Sequence, residues 1–303
     1  MSTWSFSPCG CSWLGKRSNC RALCYDEQDM INNLGNDDAM SNIVDGDTWR
    51  SVLYRVPLQD KSTLVAVKKL QNKSGPSEVN LLGHIGHDNI ISLADWIRRD
   101  DFILIVYDHK ENGSLHQWLH HDPAERVLDW PTRQAIAVAV AGGLCYLHHG
   151  RKSPIVHQNI NSTNILLDSD LKPKIAGFDF AQVNLAGPDQ PVPMWELTTG
   201  NMFGYTAPEY ATLLTTTKVD LYSLGVLLLE LVTGQVANAA VADGHLATWA
   251  GKHCNNLMEN TGDFRDIVDM AIPDELGVDC STAKPNERPA MHKVHCRLRN
   301  RGR

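Results

Sequence analysis

The stretch Val156 to Asp179, VHQNINSTNILLDSDLKPKIAGFD, constrains the fold more than any other. It reads as short strand, loop, short strand, loop. Apolar β-formers (Ile165, Leu166, Leu167, then Ile175) flank loops that carry His157, Asn159, Asn164, Asp168 and Asp179. Such side chains suit chemistry better than packing, and loops on a rigid base are where chemistry is usually placed.

Two helical patterns follow from periodicity. Thr132 to His149 puts Ile136, Val140, Leu144 and Leu147 on one stripe. Lys218 to Leu231, KVDLYSLGVLLLEL, is almost wholly apolar, which predicts a central, buried helix. Asp220 at its start is then a costly charge unless backbone donors meet its oxygens. The 303 residues are 43% hydrophobic and 21% charged, enough for one large two-lobed domain or two modest ones. A net charge of -7 argues against nucleic acid as a partner. No apolar run reaches the length of a membrane-spanning helix, about 18 residues or more. No signal-peptide core precedes the first strands, so the expected location is cytoplasmic or at the cytosolic face of the plasma membrane.

Four of the eight cysteines (Cys9, Cys11, Cys20, Cys24) lie in residues 1–24, an aperiodic extension. Incidental thiols on a flexible tail, a zinc site and palmitoylation all stay open for them. Residues 25–42 form an acidic lead-in with a short helix around Met30, Ile31 and Leu34. Ser51 to Val56 and Leu64 to Lys68 predict a β-hairpin, Glu78 to Ile85 a helix, and Ile91 to Ile97 and Phe102 to Tyr107 two more strands. A segment of residues 180–203, polar and rich in Pro and Gly, predicts an irregular loop. Residues 245–272 predict two amphipathic helices, and residues 299–303 a basic tail.

The ordered set VAVKKL, NGSLHQWLH, His157 to Asn164, FGYTAPEY, KVDLYSLGVLLLELVTG and NERPAM resembles the protein kinase domain of plant leucine-rich-repeat receptor-like kinases. The resemblance implies an α+β, bilobal fold: a small, mainly β N-lobe over 43–110 with one helix and a large, mainly α C-lobe over 111–298. It makes Lys68 the phosphate-anchoring lysine and Glu78 its helix partner. Gly46, Leu53, Ala66, Tyr107 (the gatekeeper), Asp108 and His109 fall at nucleotide-contacting positions. His157, Phe178 and Leu82 fall on an apolar spine. Asp220 is expected to bond the backbone of the catalytic loop, and Arg288 to pair with Glu209.

The departures cluster at the chemistry. Phosphoryl transfer in this family uses an aspartate as base and another as metal ligand. Here Asn159 stands at the base position, Asn161 replaces the nearby lysine, and Gly177 stands at the metal carboxylate, leaving Asn164 as the one retained metal ligand. Gln158 replaces the arginine that anchors a phosphorylated activation segment. Thr48 and Ser51 replace glycines of the phosphate loop. These changes point to a pseudokinase with weak or no ATP binding, a doubtful Mg²⁺ site, and a role as a scaffold or regulator of other proteins, such as active receptor-like kinases. The alternatives are a low-activity serine/threonine kinase with rearranged metal ligands, and a truncated product that folds poorly.

Overall fold

Alternation in Leu64–Gln71 builds the first of two units. Val65 and Val67 are fully buried on one face, while Lys68 points to the other. The computed structural model describes residues 25, 27–34, 43–44, 51–58, 63–71, 77–120, 127–187, 189–194, 204–238, 245–257 and 274–301. One compact unit comprises the chain up to Gly86 with Ile91–His109; the other comprises His87–Ile90 with Lys110–Arg303.

The smaller unit is an antiparallel sheet of five strands: β1 (Ile43–Val44), β2 (Ser51–Pro57), β3 (Leu64–Gln71), β4 (Leu93–Arg98) and β5 (Phe102–Asp108), in the order β1-β2-β3-β5-β4. Among the described residues two helices accompany it, α1 (Glu27–Asn33) and α2 (Ser77–Leu82). Met30 of α1 sinks into a core with Val56, Val65, Val67, Ile97, Leu104 and Val106. The Tyr25 hydroxyl donates to Asp95 at 2.6 Å and tethers the start of α1 to β4. The helix expected over Glu78 to Ile85 stops at Leu82. Gly83 and Gly86 weaken helix propensity there, and His84 Nδ1 turns back to the Asn80 carbonyl at 2.7 Å. The strand expected from Ile91 begins at Leu93.

The larger unit is mainly helical: α3 (Leu115–His120), α4 (Trp130–His149), α5 (Thr217–Thr233), α6 (Leu246–Leu257), α7 (Asp274–Cys280) and α8 (Met291–Arg301). Asp129 caps α4 by accepting from Thr132 N–H at 3.0 Å, with Pro131 in the first turn. The apolar run of α5 is buried along nearly its whole length, as its sequence requires. It meets α7 backbone to backbone: a Cβ on Gly225 would lie 2.7 Å from the Gly277 carbonyl oxygen. Among the described residues the unit also has three short strand pairings, β6 (Ile155–Val156) with β9 (Gln182–Val183), β7 (Ile165–Leu167) with β8 (Pro173–Ile175), and β10 (Val192–Pro193) with β11 (Leu214–Thr215). The α+β class thus holds, a mainly β unit followed by a mainly α one.

Residues 299–301, set apart as a tail from the sequence, continue α8. Residues 1–24, residues 46–50 of the expected phosphate loop, part of the expected 180–203 loop and the second helix expected within 245–272 lie outside the described residues.

Candidate functional site

In the smaller unit three side chains from β3, α2 and β5 converge. Lys68 Nζ donates to Glu78 Oε2 at 2.7 Å, with both residues buried. The Tyr107 hydroxyl donates to the other oxygen, Oε1, also at 2.7 Å. The β3–β5 register explains the meeting, since Lys68 stands opposite Ile105 and Ala66 opposite Tyr107. Removing one partner from such a buried pair typically costs about 3–5 kcal/mol. The resemblance implies a nucleotide contact for Tyr107, and the structure adds a bond to Glu78 that the motif does not indicate. The available signal is general: a buried tyrosine seeks a partner for its hydroxyl. Leu53, Ala66, Asp108 and His109 lie on or beside these strands. Leu82 is buried at the end of α2.

In the larger unit the loop after β6 is fixed from below by Asp220, which is fully buried in the first turn of α5. Its carboxylate accepts from His157 N–H at 2.8 Å and Gln158 N–H at 2.7 Å, and His148 Nε2 lies 2.8 Å from Oδ2. These bonds hold Gln158 at φ +64°, a left-handed conformation costing roughly 1–2 kcal/mol for a residue with a Cβ. The Gln158 side chain then donates to the Phe180 carbonyl at 2.7 Å, and the Tyr210 hydroxyl donates to the Gln158 carbonyl at 3.1 Å. Gln158 is therefore a stitch within the unit, a role the sequence did not suggest.

The three asparagines bond to one another. Asn159 Oδ1 accepts from Asn161 Nδ2 at 3.0 Å, and Asn159 Nδ2 reaches the Gly177 carbonyl at 3.4 Å. Asn164 Nδ2 donates to the Asn159 carbonyl at 3.0 Å. Asn161 Oδ1 caps the 3-10 turn Ser162–Asn164, accepting from the N–H groups of Thr163 and Asn164 at 3.0 Å each. Gly177 adopts φ +78°, and a Cβ there would stand 2.5–2.6 Å from the amide of Asn164. All these groups are neutral, and an amide oxygen accepts a hydrogen bond without taking the proton.

His157 and Phe178 meet edge to face with ring centroids 4.5 Å apart. Burial pushes the His157 imidazole down to about 4, even against the pull of Asp220. Further along, Arg288 forks onto both oxygens of Glu209, one bond measuring 2.7 Å, and also donates to the carbonyls of Lys218 and Thr282 at 2.8 Å each. Its guanidinium lies 5.1 Å from the Tyr222 ring centroid.

A family model described as the protein kinase domain matches residues 46–295. The chain belongs to the protein kinase domain family. This kinase domain is homologous to receptor-like kinases of Arabidopsis thaliana. It is 35% identical over 283 residues to "Probable inactive receptor kinase At1g27190", covering 86% of this chain and 46% of the relative. It is 36% identical over 298 residues to "Receptor protein-tyrosine kinase CEPR1", covering 90% and 30%. It is 34% identical over 269 residues to "Probable LRR receptor-like serine/threonine-protein kinase At1g69990", covering 83% and 44%. The chain thus spans less than half the length of these relatives. Among the described residues no helix is long and apolar enough to cross a membrane.

Proposed function

We propose that this kinase domain no longer transfers phosphate and works as a signalling scaffold or regulator of other proteins, active receptor-like kinases among them. The observation that carries the reading is the state of Asn159. Its oxygen is engaged by Asn161 at 3.0 Å, and its amide cannot accept a substrate proton. Losing general-base help alone typically costs about 10²–10⁴-fold in rate. Similarity to a relative whose name calls it a probable inactive receptor kinase points the same way.

The residues at the metal position do not fit Mg²⁺. That ion is held by one or two carboxylates with phosphate oxygens. Gly177 supplies none, and Asn164 offers only one neutral amide oxygen in place of a carboxylate. The lysine half of the chemistry fits nucleotide better. Lys68, held ready by Glu78, is where phosphate oxygens of ATP would bond, with the backbone of Asp108 and His109 and the side chains of Leu53 and Ala66 near the base. Weak, metal-independent ATP binding is the corresponding expectation.

The formed Lys68–Glu78 pair also favours a second reading, a low-activity serine/threonine kinase with rearranged metal ligands. A thermal melt with ATP, with and without Mg²⁺, separates the two. A shift that is small and equal in both conditions supports the first reading. A shift that requires Mg²⁺ means that a metal site has been rebuilt and supports the second.

A further inference from the structure

Beside the asparagine loop, two imidazoles and a buried carboxylate converge within the larger unit. His116 and His120 stand four residues apart on α3 and share one face of it. Their rings lie 4.7 Å apart, centroid to centroid. His120 Nε2 is 3.1 Å from Glu230 Oε1 on α5, with side-chain exposures of 8% and 1%. One ligating atom from each of His116, His120 and Glu230 lies within 4.8 Å of the other two, and no other such trio occurs among the described residues.

Glu230 is oriented as a ligand would be. Its Oε2 accepts from the Tyr205 hydroxyl, and its Oε1 accepts from Ala237 N–H at 3.3 Å. That leaves Oε1 a second lone pair on the side where His120 stands. The Tyr205 oxygen is 3.1 Å from Ser162 Oγ, which is in turn 3.2 Å from His116 Nδ1. Among the described residues no Lys or Arg pairs with Glu230. A buried carboxylate held by uncharged donors is costly, and a bound cation offsets that cost.

We propose that His116, His120 and Glu230 form a site for a divalent transition metal, with Zn²⁺ the best-fitting ion. Imidazole with carboxylate is a zinc donor set, whereas Mg²⁺ prefers oxygen alone. Two ligand atoms on one tetrahedral zinc stand about 3.3 Å apart, given bonds of about 2.0–2.1 Å. The His120–Glu230 separation of 3.1 Å is close to that value, and rotation of the half-buried His116 side chain completes the set. Such an ion would clamp α3 to α5 beside Tyr205.

The test uses the full, untagged chain with Cys9→Ser, Cys11→Ser, Cys20→Ser and Cys24→Ser, so that thiols of the extension cannot compete. The metal-stripped protein is titrated with Zn²⁺ by calorimetry and with Co²⁺ by absorption. One equivalent is expected to bind tightly, with a visible cobalt band and no thiolate charge-transfer band. His116→Ala should weaken binding by more than about 100-fold, since changes to groups that merely orient a ligand already cost about 10–100-fold. His116→Cys should restore binding and add the thiolate band, which a packing role for His116 would not produce. Absence of tight Zn²⁺ binding, or one equivalent whose affinity is unchanged in His116→Ala, would overturn the proposal. In either case the His120–Glu230 contact is a plain hydrogen bond.

Discussion

The two units have treated their inherited charges differently. In the smaller one a lysine, a glutamate and a tyrosine keep a complete buried ion pair. In the larger one Asn159, Asn161 and Gly177, which we propose stand at the positions of base, neighbouring lysine and metal carboxylate, are neutral, and their amide groups satisfy one another. Three charged residues of that unit, Asp220, Glu209 and Arg288, hold backbone or one another. The lesson is physical. A charge that satisfies buried partners cannot be lost without leaving them orphaned, whereas a charge that serves only substrate and metal can be exchanged for a neutral amide of similar shape.

This contrast can be broken first at Asp220. Asp220→Ala strands two buried N–H groups and should destabilise the larger unit by about 3–5 kcal/mol, read by hydrogen exchange of α5 and the residues around His157. A cost below about 1 kcal/mol would remove the structural half of the comparison. In the smaller unit, Lys68→Met should cost a similar amount, about 3–5 kcal/mol, by removing the counter-charge from the buried Glu78 carboxylate. The double change Lys68→Met with Glu78→Leu should recover most of that loss in a double-mutant cycle.

Acid sharpens the contrast further. The His157 imidazole sits at about 4 in the fold against 6.5 when free. Because the unfolded chain binds the proton more readily, this contribution is complete above pH 6.5. It is lost as pH falls towards 4, and is on the order of 3 kcal/mol. His87, His149 and His295 are shifted the same way by partial burial and add to the slope. Equilibrium unfolding between pH 7 and 4 should show this decline, and His157→Phe should flatten it. The smallest effect is expected from Tyr107→Phe. It removes one hydrogen bond to a charged carboxylate and should cost about 1.5–3 kcal/mol, read as faster exchange at β5 amides.

Much of this was legible in the sequence because period and burial are local signals. The hairpin β2–β3, the strand β5 and the helix α5 follow from alternation and an unbroken apolar run. The need of Asp220 for backbone donors follows from placing a charge in that run. The network around Asn159 was not legible. Its bonds depend on the left-handed turn at Gln158, which is set by Asp220 some sixty residues later in the chain. His148 as a further partner of Asp220, Tyr107 as a partner of Glu78, and the meeting of His116 and His120 with Glu230 are likewise long-range facts. Helix α2 ended early because local glycine propensity outweighed the apolar spacing that extended it on paper.

The most direct measurement is ATP-dependent phosphate incorporation, with Mg²⁺ and with Mn²⁺, into the chain itself and into a generic protein substrate. The wild type is compared with Lys68→Met. Incorporation by the wild type no higher than that of the variant is expected if Asn159 and Gly177 have silenced the chemistry. Wild-type incorporation that disappears in Lys68→Met would contradict it.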